Sequence, residues 1–179
     1  MQFNVAQLLK ERVGQSRSYE IEENIDVIDD AEGGSHVTGE VELLGTDRGI
    51  LVRARLKTSV KCVCSRCLEV FDCPLSFEIA EVFFPTVDVN TGVSLEMPEE
   101  ASPFTIDENH ILDLSEAVRQ YALLAMPMKL ICRPDCAGLC PHCGCNLNNE
   151  RCYCAAPMPD SRWAELYKLA SPGGAAEKR

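Results

Sequence analysis

The feature that most constrains this chain is a run of closely spaced cysteines over residues 132–154, CRPDCAGLCPHCGCNLNNERCYC. The whole chain has 11 cysteines in 179 residues. Its N-terminus, MQFNVAQLLKER, lacks the basic start and long apolar stretch of a secretory signal, so we expect a cytoplasmic protein. In a reducing compartment, an odd number of dense cysteines indicates metal thiolates rather than a disulfide framework.

The centre of this run, Cys140-Pro-His-Cys143-Gly144, has the sequence of a zinc knuckle. The two residues between the cysteines let the chain fold around one ion, and the glycine permits the tight turn that follows. Cys152-Tyr-Cys154 returns a few residues later and can complete a tetrahedron. We therefore predict a structural zinc site on Cys140, Cys143, Cys152 and Cys154, with four buried free thiols as the alternative.

Two further pairs, Cys64/Cys67 and Cys132/Cys136, each have too few ligands to hold zinc alone. The economical solution is that they share a second ion, which joins the end of a basic strand to the segment after a helix. An alternative partition moves Cys132 or Cys136 into the first site, in place of one of its C-terminal ligands. The sequence thus predicts one zinc site and permits two.

Three cysteines, Cys62, Cys73 and Cys145, are left over, and we expect packed or exposed thiols. This partition is testable by substitution. We expect Cys140→Ser or Cys152→Ser to lose metal and unfold the cysteine-rich segment, and Cys145→Ser to do neither.

Catalytic motifs are missing from the sequence, which favours a protein that is not an enzyme and has no small-molecule substrate. Its histidines are only His36, His110 and His142. There is no Ser-His-Asp, P-loop or dinucleotide-binding pattern, and the sequence has none of the H-x-E that precedes P-C-x-x-C in a deaminase. A redox C-x-x-C would need a thioredoxin-like context, which we do not find.

Residues 37–61 alternate as a β-hairpin with a turn at residues 46–49. Its predicted core face comprises Val37, Val41, Leu43, Val52, Ala54, Leu56 and Val60. Residues 48–66 contain six basic residues and no acidic one. The candidate nucleic-acid-binding residues are Arg53, Arg55, Lys57, Lys61 and Arg66. The alternative is a self-paired solvated face, with Glu42 opposite Arg53 and Glu40 opposite Arg55.

The fold class that we predict is α+β: an antiparallel β-rich body, one packed helix and a C-terminal zinc-binding module. Strands are expected over residues 68–84 and a long surface loop over 86–110. A helix is expected over 113–126, with an Asp113–Glu116 capping box and a core stripe of Val118, Tyr121, Leu124 and Ala125. The predicted divisions are 1–127 for the body with its closing helix, 128–158 for the module, and 159–179 for a short helix (161–169) and a disordered tail.

The net charge of −11 works against non-specific binding of nucleic acid, and basic proteins are the easier partners. The sequence has no run of about 18 apolar residues, so neither a transmembrane helix nor a membrane partner is expected.

The order of these features resembles the DUF177, or YceD, family of large ribosomal RNA subunit accumulation proteins. The segments that carry the resemblance are Cys64-Ser-Arg-Cys67-Leu-Glu69, Asp113-Leu-Ser-Glu116, Leu124 to Pro127, and Cys132 through Cys154 with Gly138-Leu-Cys-Pro-His-Cys-Gly144 and Asn146-Leu-Asn148. The resemblance implies a ribosome-biogenesis role in accumulation or processing of the large-subunit (23S) rRNA. Large-subunit precursor rRNA or a basic ribosomal protein is the implied partner. The alternative function is a zinc-stabilised interaction module whose basic partner is unrelated to ribosomes.

Overall fold

The computed structural model describes residues 1–25, 34–95, 104–154 and 161–163. These residues belong to two units, Met1–Cys136 and Ala137–Arg179. Several predictions fall partly or wholly outside the described residues: the 96–103 part of the expected loop, the 164–169 part of the short helix, and the tail. The division of the chain at residues 127 and 158 stays a prediction.

The first unit is built on a seven-stranded sheet with the order β1-β7-β6-β5-β4-β3-β2. Its strands are β1 (Gln2–Asn4), β2 (Ser16–Ile25), β3 (Ser35–Gly45), β4 (Ile50–Val63), β5 (Val70–Pro85), β6 (Thr105–Ile106) and β7 (Ile111–Asp113). Every neighbouring pair is antiparallel except β5–β6. The rings of Phe3 on β1 and Tyr19 on β2 lie 5.0 Å apart, so the two edge strands approach and the sheet curls around its core.

The β3–β4 hairpin confirms the predicted alternation and turn. All seven residues of its predicted core face are buried. The amide of Thr46 donates to the carbonyl of Gly49 over 2.8 Å, closing the turn. An apolar residue at every second position places one face of each strand against the core and leaves charged side chains on the other.

Two short helices complete the described part of the first unit, α1 (Ala6–Lys10) and α2 (Ser115–Ala125). Helix α2 begins two residues later than predicted, because Asp113 ends β7 and its carboxylate accepts the amide of Ser115 over 2.9 Å. The N-cap is therefore Leu114, without the predicted capping box. Val118 is buried as expected, but Leu124 is 80% exposed, so the predicted core stripe is wrong at that position.

Part of the segment predicted as loop is strand. Residues 105–106 form β6, which pairs in parallel with the end of β5 and antiparallel with β7. Strands β1, β2 and β7 were also not predicted. They are short or acidic, and each is defined by a partner elsewhere in the sheet rather than by its own sequence pattern.

Helix α2 is fixed to the sheet by a hydrogen bond from the Tyr121 hydroxyl to the Glu81 carboxylate over 2.6 Å. We expect Tyr121→Phe to lower the free energy of unfolding by about 1–2 kcal/mol, because a bond to a charged acceptor is lost. Urea unfolding followed by circular dichroism measures this. Tyr153→Phe is the control, since Tyr153 is 93% exposed; equal losses in both variants would contradict the role of the bond.

The described part of the second unit is made of turns. An isolated bridge pairs Leu139 with Asn146, and the Asn146 side chain accepts the amide of Asn148 over 3.0 Å. Ser161–Trp163 forms one turn of 3-10 helix at the start of the predicted short helix. No helix among the residues that the structure describes is long and apolar enough to span a membrane.

Candidate metal centres

The first cysteine cluster, called cluster 1, consists of Cys64, Cys67, Cys132 and Cys136, whose sulfurs all lie within 4.8 Å of one another. The Cys64 and Cys136 sulfurs are 3.9 Å apart, and those of Cys67 and Cys132 are 3.7 Å apart. The structure therefore brings together the two pairs that the sequence assigned to a shared ion. The cluster joins the tip of the β4–β5 hairpin to the chain that follows α2.

The hairpin tip folds as a knuckle around the Cys64 sulfur. The amide of Leu68 donates to the carbonyl of Cys64 over 3.0 Å, and the amide of Cys64 donates to that of Glu69 over 2.9 Å. The amide of Arg66 points at the Cys64 sulfur over 3.5 Å. Leu68 follows the second cysteine with φ of 60°, a conformation that is uncommon for a residue other than glycine.

Contacts from the neighbouring chain hold cluster 1 in place. The amide and hydroxyl of Ser65 both donate to the carbonyl of Leu130, over 2.8 and 2.9 Å. The Arg66 guanidinium donates to the carbonyl of Cys136 over 2.8 Å. The amide of Cys132 points at the Cys64 sulfur over 3.4 Å. These bonds hold the tip of the β4–β5 hairpin against the segment that carries Cys132 and Cys136.

The second cluster, called cluster 2, consists of Cys140, Cys143, Cys145 and Cys152, again with all sulfurs within 4.8 Å of one another. The Cys143 and Cys152 sulfurs are 3.6 Å apart, and those of Cys152 and Cys140 are 3.2 Å apart. Three of the four predicted ligands of the first zinc site are therefore together. The fourth of the group is Cys145, whereas the prediction named Cys154.

Cluster 2 is built on the same knuckle as cluster 1. The amide of Gly144 donates to the carbonyl of Cys140 over 2.9 Å, and the amide of Cys140 donates to that of Cys145 over 2.8 Å. The amide of His142 points at the Cys140 sulfur over 3.4 Å. Gly144 has φ of 74°. The matching bonds show that both C-x-x-C motifs adopt one backbone conformation, which supports a common role as metal-binding turns.

The predicted ligand Cys154 lies beside cluster 2. Its amide points at the Cys152 sulfur over 3.3 Å, and its thiol interacts with those of Cys152 and Cys143. Cys145 was predicted to be a packed or exposed thiol outside the zinc site. The signal that would have found it is its place directly after Gly144, where the knuckle turns the chain back on Cys140.

The thiols of each cluster affect one another's ionisation. In cluster 1, burial raises the pKa of the Cys64 thiol, but the amides of Cys132, Cys67 and Arg66 outweigh it and lower the pKa to about 6. Burial and the neighbouring thiols raise the pKa of Cys132 to about 12. One thiolate thus forms readily, and its negative charge keeps a neighbour protonated.

Cluster 2 behaves in the same way. The backbone amide and thiol of Cys145 are the main groups that lower the pKa of Cys143 to about 6. The hydrogen bond that the Cys145 thiol donates to the Cys143 sulfur is the largest cause that raises the pKa of Cys145 to about 12, and the bond that the Cys154 thiol donates to Cys152 does the same for Cys154. A divalent cation at the centre of either cluster would offset the repulsion between neighbouring thiolates, since it stabilises several of them at once.

The geometry of both clusters fits a tetrahedral zinc ion. Zinc–sulfur bonds of about 2.3 Å place the sulfurs of a tetrahedron about 3.8 Å apart. The close sulfur–sulfur pairs of the two clusters are 3.2 to 3.9 Å apart, and all sulfurs of a cluster lie within 4.8 Å of one another. Four cysteines form the donor set of a closed structural site, whereas catalytic zinc keeps one position open. Of the remaining cysteines, Cys62 and Cys73 are buried in the core of the sheet.

The basic row on β4, predicted as a candidate nucleic-acid surface, lies between acidic neighbours. Glu42 is opposite Arg53 and Glu40 is opposite Arg55, as the self-paired alternative predicted. Arg55 also forms an ion pair with Glu78 on β5 over 3.1 Å. These cross-strand neighbours reduce the positive potential of the row.

The other three basic candidates are in different surroundings. Lys57 lies opposite Thr38 and Ser76, and Lys61 lies opposite Asp72. The Arg66 guanidinium bonds a carbonyl of cluster 1. A shallow groove of about 810 Å³ runs along this face, and its charged lining residues are Glu20, Glu40, Glu42, Glu78, Arg53 and Arg55. With four carboxylates against two guanidinium groups, the groove is acidic.

Comparison with known proteins gives a family and distant relatives. The family model described as "Large ribosomal RNA subunit accumulation protein YceD" matches residues 52–170, more than half of the chain. Uncharacterized proteins of Mycobacterium bovis and Mycobacterium tuberculosis are each 29% identical over 134 residues, which cover 74% of this chain and 61% of the relative. The chain thus spans less than two thirds of the length of these relatives.

A plant protein matches over a shorter segment. It is the chloroplastic "Large ribosomal RNA subunit accumulation protein YCED homolog 1" of Arabidopsis thaliana, which is 33% identical over 58 residues. That segment covers 32% of this chain and 18% of the plant protein. No solved structure matches the chain.

Proposed function

This chain belongs to the YceD family of large ribosomal RNA subunit accumulation proteins, and we propose that it supports accumulation or processing of the large-subunit rRNA. The observation that carries this proposal is the extent of the family match, because residues 52–170 include every cysteine of both clusters. We propose further that it acts without catalysing a reaction and that zinc in both clusters stabilises it. The all-cysteine donor sets support a structural role for the metal.

The test of the proposed function is depletion of the protein in its own cells. We expect mature large-subunit rRNA to fall relative to small-subunit rRNA, with precursor accumulating, and a wild-type copy to restore the ratio. A copy with Cys136→Ser, which lacks a cluster 1 ligand, is expected to fail. Leu124→Ala is the control, since this side chain is exposed on α2. An unchanged rRNA ratio after depletion would contradict the proposal.

The direct partner that we propose is a basic ribosomal protein, which holds the chain near the rRNA. The net charge of −11 and the acidic groove support a basic partner. We predict that Lys57→Glu combined with Lys61→Glu changes rRNA recovery less than twofold, because these residues do not contact the RNA. Arg66 is left intact, since it bonds cluster 1.

The measurement is a tagged pull-down at low and moderate salt, with the bound RNA sequenced and the bound proteins identified. A large loss of rRNA in the double variant, with a flatter salt dependence, would show direct RNA contact through β4 and contradict the basic-protein partner. Recovery of a basic protein without ribosomal components would instead favour the alternative of an interaction module unrelated to ribosomes.

A further inference from the structure

The two cysteine clusters differ in their access to solvent. In cluster 1, Cys64 is 0%, Cys67 3% and Cys136 2% exposed, and only Cys132 is half-buried. The sulfurs are covered by the knuckle and by the chain after α2. A chelator or a competing thiol therefore cannot approach an ion in cluster 1 without local unfolding.

The cysteines of cluster 2 are more exposed to solvent than those of cluster 1. Cys140 alone is buried, Cys145 and Cys152 are half-buried, and Cys143 is exposed. The chain around these cysteines forms short turns, and its described residues do not form a hydrophobic core of their own. An ion in cluster 2 is thus within reach of an external ligand while the fold stays intact.

Cluster 2 also has one thiol more than a tetrahedral ion needs. Cys154 is exposed, and its amide points at the Cys152 sulfur over 3.3 Å, so a fifth cysteine lies beside the four of cluster 2. In cluster 1 the described residues supply four thiols only. A spare ligand beside a metal site gives a route for exchange, because the incoming sulfur approaches before the outgoing one has left.

We propose that cluster 2 is an exchangeable zinc site, in which Cys145 and Cys154 alternate as the fourth ligand, while cluster 1 releases its ion only on local unfolding. This inference rests on the proposed zinc binding and does not depend on the rRNA role. Its consequence is that the metal content of the second unit follows the zinc supply, whereas the first unit stays folded. The acceptor or donor of the ion is a soft-ligand compound such as a small thiol or another cysteine site.

The exchange step is a ligand substitution without electron transfer. The Cys154 sulfur forms a bond to zinc as the bond from the Cys145 sulfur breaks. The proton released by the incoming thiol is taken up by the outgoing thiolate, so the charge of the site is unchanged. A competing external thiol replaces the outgoing ligand in the same way, and successive substitutions remove the ion.

The experiment is zinc release from the purified, zinc-loaded full chain to a coloured chelator in excess. We expect two ions per chain released in two phases of equal amplitude, with rates at least 100-fold apart. Cys145→Ser and Cys154→Ser should each retain both ions and slow the fast phase at least fivefold. The double variant should retain one ion. Cys62→Ala, in the core outside both clusters, is the control and should leave both phases unchanged.

Three results would overturn the exchange proposal. They are release of both ions in one phase, an unchanged fast phase in both single variants, and loss of an ion from either single variant. A wild-type chain that binds no zinc would instead defeat the metal assignment on which the proposal rests. A normal release pattern in a protein whose depletion leaves rRNA unchanged would defeat only the rRNA role.

Discussion

Cys136→Ser is expected to abolish metal binding at cluster 1 and to lower the free energy of unfolding of the first unit by at least about 3 kcal/mol. Cys136 is 2% exposed and its sulfur lies 3.9 Å from that of Cys64. Serine offers a poor ligand to zinc, so the folding free energy that the bound ion supplies is lost, and the three remaining cysteines of cluster 1 take up protons in its place.

Loss of the metal at cluster 1 is expected to destabilise the chain beyond the tip of the β4–β5 hairpin. Cluster 1 connects β4 and β5 to the chain after α2, so its loss frees residues 130–136 and removes a crosslink between parts of the chain about 70 residues apart. The measurements are zinc content by mass spectrometry, expected to fall from two ions to one, and urea unfolding followed by circular dichroism.

The matched control is Cys73→Ser. Cys73 is 6% exposed and lies in the core of the same unit, outside both clusters. The same chemical change should there cost only about 1–3 kcal/mol for burying a hydroxyl, with both ions retained. Equal zinc content in the two variants would show that cluster 1 holds no ion.

The sequence predicted the elements whose own residues carry the pattern. The β3–β4 hairpin has strict alternation and a glycine-containing turn, so its faces and even the pairs Glu40–Arg55 and Glu42–Arg53 followed from counting outward from residues 47 and 48. The pairing of the two distant cysteine pairs followed from ligand number, because zinc needs four. In both cases a local or stoichiometric rule was sufficient.

The elements that the sequence did not predict depend on distant partners. Strand β2 is an edge strand with one neighbour, and its alternation is hidden by Glu20, Glu22 and Glu23. Strands β6 and β7 have two and three residues, too few for a periodic pattern. Cys145 joined cluster 2 through the turn at Gly144, which is a property of the folded backbone rather than of the cysteine spacing.

Gly39→Ala is expected to have the other large effect, a loss of at least about 3 kcal/mol in the free energy of unfolding. The added methyl group would clash with backbone atoms, which can move aside less easily than a side chain. Gly39 lies in the middle of β3, paired with Leu56 on β4, and has φ of 153°. A Cβ at this position would be 2.0 Å from the carbonyl oxygen of Arg55. That oxygen belongs to the central strand pair, so relief requires the two strands to separate.

Gly92→Ala is the control, because it introduces backbone strain without a steric clash. Gly92 also has positive φ, 69°, but nothing lies within 4 Å of its added Cβ. The cost there should be only the conformational strain of about 1–2 kcal/mol. Urea unfolding of both variants gives the comparison, and equal losses would contradict the close approach of β3 and β4 at Gly39. Because β4 leads directly into Cys64, a weakened β3–β4 pair should also loosen cluster 1. The slow phase of zinc release is then expected to be faster in Gly39→Ala than in the wild-type chain, which would show that the sheet positions this metal centre.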